Sequence, residues 1–155
     1  MRDINILING KVLTLAFNSG IVKQLVFNKD ILQSEDRIIS VSVAENQVII
    51  VTEDPGFRNG ATNVDSVKPY NIKENNINAY DWNGNYLWNI SEIVGEINMT
   101  FFGGCVSSIS ALCEHLEFDK QKYSEDLEIY TCTAGGKTYV IDLKDKKVIQ
   151  TLSAK

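Results

Sequence analysis

The sequence predicts an all-β protein that is built from antiparallel meanders. Short apolar runs rich in β-branched residues recur along the chain, and clusters of Asn, Asp, Gly and Ser separate them. One hairpin pattern occurs twice, at 78–88 and at 138–149. Each copy has an aromatic or β-branched residue, an Asp, an apolar residue, a polar turn and a second apolar run. Such internal self-similarity indicates a repeated β unit.

The first part of the chain predicts three strands. Residues 4–8 and 12–17 are apolar runs that flank an Asn-Gly step. This step is a strong hairpin signal, because a type I′ turn requires φ > 0 at both central residues. A turn at 18–20 then leads into a third strand at 21–27.

The middle of the chain predicts two hairpins that flank a long loop. Residues 37–43 alternate with period two, and 47–53 is a nearly continuous β-branched run, which is typical of a strand buried on both faces. The loop 54–76 holds both prolines, two glycines and five asparagines. Loops longer than about 12–15 residues in a compact domain are usually functional or mobile. The second hairpin covers 77–82 and 86–90.

The last part of the chain predicts four strands, at 99–109, 127–133, 138–143 and 147–152. The first of them contains a Gly-Gly pair, which indicates a bulge. Residues 110–126 are the least defined, and a helical turn is predicted only within 110–118. Ten to twelve strands are therefore expected, with little helix.

These strands group into repeated modules of one domain, 1–155. Two modules, at about 37–90 and 97–152, contain four strands each. A first module, at about 1–28, is incomplete and contains only the last three strands. The apolar positions of the central strands predict the core residues Ile49, Val51, Ile77, Tyr80, Trp82, Ile129, Tyr130, Val140 and Leu143.

Composition excludes several classes of protein. Hydrophobic residues make up 44% of the chain and charged residues 23%, which is typical of a globular domain. With a net charge of -5 and no run of basic residues, the chain has no electrostatic signature of nucleic-acid binding. No segment approaches the ~18 apolar residues of a membrane span, and no signal peptide is visible. Three irregularly spaced cysteines do not form a disulfide framework, so a cytoplasmic location is expected.

The residues that commonly carry chemistry form no motif. His115 is the only histidine, so a catalytic dyad or triad would have to be built on it. A zinc site would require a second histidine or a Cys-x-x-Cys pair, and neither occurs. Neither glycine pair has the spacing of a phosphate-binding loop. We therefore predict no catalytic residue, no metal and no cofactor.

The hairpin pattern resembles the repeat of β-propellers. Residues 80–88, Tyr-Asp-Trp-Asn-Gly-Asn-Tyr-Leu-Trp, resemble the repeat of quinoprotein-type propellers. Residues 139–148 resemble the Tyr-Val-x-Asp repeat of other bacterial propellers. The resemblance implies a partial, propeller-like array of four-stranded modules in a bacterial protein. It does not imply a quinone cofactor, because the catalytic and metal-binding segments of those dehydrogenases have no counterpart here.

Closed propellers typically have about 4–8 blades, and this chain has fewer than three complete modules. One expectation is therefore a different closure, as a β-barrel or sandwich, in which the N-terminal three strands pair with the strand at 147–152. The slightly favoured expectation is a homodimer, formed through strand edges or an open sheet face.

Two functions follow from different classes. The first is a non-catalytic β-scaffold that binds a protein partner through the loops 54–76 and 110–126. The predicted partner-binding residues on these loops are Arg58, Lys68, Tyr70 and His115. The second is a small-ligand or carbohydrate-binding β domain, in which Trp and Tyr side chains line a cleft. An enzyme ranks third, because the chain shows no paired catalytic motif.

Overall fold

The computed structural model describes residues 4–9, 12–17, 19–27, 37–53, 74–95, 99–109, 123–124 and 126–153. Most of these residues form β-strands and one short helix is present among them, which confirms the all-β prediction. The elements, in chain order, are β1 Ile4–Asn9, β2 Val12–Phe17, β3 Val22–Val26, β4 Arg37–Val43, β5 Val48–Glu53, β6 Ile77–Tyr80, β7 Tyr86–Asn89, α1 Ile90–Val94, β8 Phe102–Ser108, β9 Glu128–Ala134, β10 Lys137–Asp142 and β11 Lys147–Ser153. Within these ranges, no helix is long and apolar enough to cross a membrane.

The strands form three antiparallel sheets, each connected as a meander. The first sheet has the order β1-β2-β3, the second β4-β5-β6-β7 and the third β8-β9-β10-β11. None of the three sheets closes on itself. Among the described strands, β11 pairs with β10 and not with the first sheet, so the predicted internal closure through 147–152 is wrong. Each connection within a sheet is sequential, and this leaves both outer strands of each sheet at an edge.

Strand β5 holds the three sheets together. Its residues alternate between two faces, and all four from Val48 to Val51 are buried. Val48 and Ile50 pack against the first sheet, in a cluster with Leu13, Leu15, Leu25 and Phe27. Ile49 and Val51 belong to a second cluster, which includes Tyr130, Cys132, Tyr139 and Ile141 of the third sheet. The second sheet is therefore covered on both faces, as its unbroken apolar run predicted.

An aspartate organises the β6–β7 turn. The Asp81 N–H donates to the carbonyl of Asn85 (2.9 Å), and the Gly84 N–H donates to the carbonyl of Asp81 (3.1 Å). The carboxylate Oδ1 of Asp81 accepts from the N–H groups of Asn83 and Asn85, both at 2.9 Å. These bonds lower the pKa of the Asp81 carboxyl, the backbone bond from Asn85 most strongly. Gly84 has a φ of 85°, which glycine adopts without strain.

The β2–β3 turn repeats this backbone pattern. The Phe17 N–H donates to the carbonyl of Ile21, and the Gly20 N–H donates to the carbonyl of Phe17, both at 2.9 Å. Gly20 has a φ of 87°, close to that of Gly84. By this correspondence β2 and β3 are equivalent to β6 and β7, and β1 is equivalent to β5. The three strands of the first sheet therefore correspond in order and turn geometry to the last three strands of the second sheet.

The two glycine pairs have the structural roles that the sequence predicted. The pairing of β8 with β9 shifts between Phe102 and Cys105, which is a bulge at Gly103-Gly104. A Cβ at Gly104 would collide with the buried Tyr130 ring at Oη, and the residue has a φ of 144°, so glycine is required there. Gly135 and Gly136, with φ of 59° and 76°, form the two-residue turn between β9 and β10.

A buried asparagine ties the second sheet to the third. Asn76 is 0% exposed. Its Nδ2 donates to the carbonyl of Thr52 (2.7 Å) and to the carbonyl of Phe101 (2.9 Å). Its Oδ1 accepts from the Phe101 N–H (2.7 Å). The amide thus joins the end of β5, the start of β6 and the approach to β8 in one network.

The short helix α1 follows β7 and was not predicted. Asn89 is its N-cap: Oδ1 accepts from the Ser91 N–H (3.0 Å), and the carboxylate of Glu92 accepts from the Asn89 N–H (2.6 Å). The sequence signal for this capping box, Asn-x-x-Glu, is present. The Asn89 Nδ2 also donates to the carbonyls of Asn75 (2.9 Å) and Ile77 (3.1 Å), which fixes the helix against the sheet.

The predicted core is largely confirmed, with two corrections. Ile49, Val51, Ile77, Ile129, Tyr130, Val140 and Leu143 are buried. Tyr80 and Trp82 are only half-buried. Trp82 lies beyond the end of β6 in the turn, and its Nε1 donates to the carbonyl of Glu45 (3.3 Å). The buried tryptophan is Trp88, which stands opposite the small Ala79 and donates from Nε1 to Oε1 of Gln47 (2.8 Å).

We therefore expect Trp88→Ala to lower the free energy of unfolding by about 3–5 kcal/mol, as for a buried aromatic residue. Trp82→Ala should cost roughly 1 kcal/mol, because only part of its ring leaves water on folding. Urea unfolding followed by circular dichroism measures both variants. Equal losses for the two tryptophans would contradict this assignment.

Asn76→Ala should lower the free energy of unfolding by about 2–4 kcal/mol, because it leaves three buried backbone groups without their partner. The matched control is Asn83→Ala in the exposed β6–β7 turn, which should change stability by less than about 0.5 kcal/mol. The measurement is the same urea titration. If the two variants were equally stable, the Asn76 network would have no role in holding the sheets together.

Candidate functional site

The predicted partner-binding residues cannot be placed. Arg58, Lys68, Tyr70 and His115 lie outside the described residues, as do most of the loops 54–76 and 110–126. The described end of the first loop, 74–76, carries the structural Asn76. From the second loop, Tyr123 and Ser124 line a cleft beside the β10–β11 turn. The binding roles of the four residues therefore stay predictions.

This cleft is small and open to solvent. Its volume is about 260 Å³, whereas pockets for drug-sized ligands usually have about 300–1,000 Å³. It is lined by Tyr123, Ser124, Leu127, Asp142, Lys144, Asp145 and Lys147. The size favours a surface depression between a turn and the neighbouring chain over a binding pocket.

Three charged side chains of the cleft, those of Asp142, Asp145 and Lys147, form contacts within the turn. Oδ1 of Asp142 accepts from the N–H groups of Lys144 (2.9 Å) and Asp145 (3.1 Å), as Asp81 does in the other hairpin. Lys147 and Asp145 form an ion pair at 3.9 Å, with side chains that are 56% and 58% exposed. Such a solvated pair contributes little. The repeated Asp is therefore a turn-forming residue rather than a general acid or base.

The described residues offer no catalytic arrangement. They contain no group of three His, Cys, Asp or Glu side chains that could hold a metal ion. Cys132 is buried, and burial raises the pKa of its thiol to about 12, so it stays protonated. Cys105 is exposed and stands opposite Thr131, on the other face of the third sheet from Cys132. The two thiols are therefore not placed to act together.

Partly exposed aromatic rings group at the β6–β7 hairpin. Nζ of Lys23 lies 4.6 Å from the centre of the Trp82 ring and covers one of its faces. Tyr86 is 54% exposed, and its ring meets Tyr80 edge to face, with centroids 6.4 Å apart. Its hydroxyl donates to the carboxylate of Glu92. Burial, and then this bond, raise the pKa of Tyr86 to about 12, so the hydroxyl remains a donor.

The most distinctive described surface is the outer face of the first sheet. Val22 and Val26 are 60% and 58% exposed. The register places them opposite Ala16 and Val12 of β2. Between these two pairs, Gln24 donates from Nε2 to the Thr14 hydroxyl (3.4 Å). None of the residues that form this face in β2 and β3 is charged: Val12, Thr14, Ala16, Val22, Gln24 and Val26.

Sequence reasoning did not identify this outer face. The signal was available in residues 21–27, where both alternating sets of positions contain at least two large apolar residues. Leu25 and Phe27 pack on the second sheet, so the valines of the other set need a different neighbour. When a strand has apolar residues on both faces, a neighbouring layer is expected to pack on each of them, as the first and third sheets do on β5.

Comparison with known proteins found no matching family model, no matching curated protein and no matching solved structure.

Proposed function

We propose that this chain is a non-catalytic β-scaffold that binds a protein partner. The observation that carries the proposal is the uncharged outer face of the first sheet, with two valines that are more than half exposed. Charged residues make up 23% of the chain, yet none of them lies on the β2 and β3 part of this face. Exposed apolar patches with few charges are typical of protein-binding surfaces.

The arrangement of the sheets supports a propeller-like scaffold. β4 and β8, the first strands of the two complete modules, contact each other. The Ser42 hydroxyl donates to the carbonyl of Gly104 across this contact (3.2 Å). The first sheet has the same turn as the second, which favours a repeated module. A stack of rigid sheets presents its turns and loops in fixed positions, which suits a binding scaffold.

The predicted loops remain part of the proposal. The loops 54–76 and 110–126, with Arg58, Lys68, Tyr70 and His115, supply polar groups for a partner, and the outer face adds an apolar surface. Cys105 and Cys132 are free thiols, which supports a reducing compartment such as the cytoplasm of a bacterial cell.

Site-specific photo-crosslinking in the native cell tests the outer face. A photoreactive phenylalanine in place of Gln24, at the centre of the face, should yield a defined adduct with another protein chain. The matched control position is Lys137, which is exposed at the start of β10 in the third sheet. Val22→Asp should abolish the Gln24 adduct, because it buries a charge in the contact. The same adducts at Gln24 and Lys137, or none at Gln24, would contradict the proposal.

The half-buried Trp82 and the exposed Tyr86 favour a second candidate function, a small-ligand or carbohydrate-binding domain. Rings of this kind stack on sugars and on other flat ligands. A carbohydrate library that changes the tryptophan fluorescence of the protein but not that of Trp82→Phe would support this function. If no carbohydrate changed the fluorescence of the unmodified protein, the carbohydrate-binding function would be contradicted and the protein-binding scaffold would be favoured.

A further inference from the structure

The far edge of β1 is an unpaired strand edge. In the described part of the chain, β1 pairs with β2 on one side and with no strand on the other. Its pairing with β2 is continuous from Ile4 to Asn9, without a register shift. An edge of this length presents a row of unpaired backbone donors and acceptors to another chain.

The other described edge strands each carry a feature that discourages pairing. β3 contains Lys23, β4 begins at Arg37 and has a register shift, and β11 begins at Lys147. β7 has only four residues and continues into α1. β8 is interrupted by the glycine bulge. β1, with the sequence Ile-Asn-Ile-Leu-Ile-Asn, has no charge, no proline, no glycine and no bulge. Of the described edges, it is the one left open to pairing.

The equivalence of the modules defines which strand this edge would take. β1 is equivalent to β5, and the corresponding edge of β5 is paired with β4 in an antiparallel register. In the third sheet β8 occupies the same position beside β9, again antiparallel. None of the described strands occupies the equivalent position beside β1, which would take one antiparallel strand.

A second copy of β1 fits this position by symmetry. An antiparallel pair around a two-fold axis joins identical strands, and one contact satisfies both open edges. The two-fold axis can pass through Ile6 or through Leu7. In either register, residues that stand opposite each other are an even number of positions apart in sequence, so they belong to the same face of the joined sheet. Centred on Ile6, Ile4 stands opposite Ile8 but Asn5 stands opposite Leu7. Centred on Leu7, Asn5 stands opposite Asn9 and Ile6 opposite Ile8, so this register pairs residues of the same chemistry throughout.

We propose that two copies of this chain pair antiparallel through β1 and form a continuous six-stranded sheet from two first sheets. This goes beyond the proposed function, because it concerns the edge of the first sheet and not its outer face. The contact is small, so the association is expected in the micromolar range.

The test is the mass of the full chain by analytical ultracentrifugation across a concentration series. The unmodified protein should shift from 17.4 kDa towards twice that mass as its concentration rises. Leu7→Lys should keep the lower mass throughout, because it places like charges close together across the two-fold axis. The matched control is Thr14→Lys, directly opposite Leu7 on β2, one strand away from the edge, which should still dimerise. Circular dichroism checks that both variants fold.

Hydrogen exchange on the unmodified protein tests the same contact without any substitution. Amides of 4–9 should exchange more slowly as the protein concentration rises, while those of β11 should not change.

A mass of 17.4 kDa at every concentration up to about 1 mM would overturn the inference. Loss of the dimer in Thr14→Lys as well as in Leu7→Lys would overturn it too, by assigning the contact to the outer face. If the amides of 4–9 exchanged more slowly only after a different protein was added, that protein would be the partner of the β1 edge, and the inference would be overturned. None of these results would remove a crosslink at Gln24, so the two proposals fail separately.

Discussion

The structure depends on the burial of both faces of β5. A strand with an apolar residue at every position from Val48 to Val51 is stable only when a layer covers each side. The first sheet covers Val48 and Ile50, and the third sheet covers Ile49 and Val51. Each residue of this kind contributes about 1.5–3 kcal/mol on burial. The three-layer stack is the consequence of this one strand, because neither neighbouring sheet can be removed without exposing half of it.

Hydrophobic burial brings the sheets together, and asparagine side chains define how they meet. Apolar contacts are non-directional and would tolerate several angles between two sheets. Hydrogen bonds from Asn76 and Asn89 fix distances to backbone groups at the end of β5, just before β6, at the first residue of β6 and before β8. A buried amide that satisfies both its donors and its acceptor permits few alternative arrangements. The polar network therefore selects one geometry from those that the core allows.

The features that local sequence determines were predicted well. Strand positions, the Asp turns and the glycine bulge depend on residue spacing and backbone conformation, so the sequence alone predicts them. The environment of Trp82 depends on where Lys23 and Glu45 approach it, and that requires the tertiary fold. The predicted site residues Arg58, Lys68, Tyr70 and His115 lie outside the described residues, so their roles stay predictions. The sequence analysis did not predict helix α1, because five residues are too few to show a helical periodicity. Its capping-box pattern, Asn-x-x-Glu, is nevertheless present in the sequence.

The two ends of the stack differ, and this difference supports the choice of the first sheet as the proposed binding surface. In the third sheet, Ile129 and Val140 alternate with the core residues Tyr130 and Ile141, so they lie on the face away from the second sheet. Both are fully buried. The corresponding face of the first sheet leaves Val22 and Val26 in solvent. A stack with both terminal faces covered would have no apolar surface to offer a partner at either end. Among the described residues, only the first sheet has an exposed apolar outer face, and its strand β1 also has an edge that no described strand covers. We therefore expect any association of this chain to involve the first sheet.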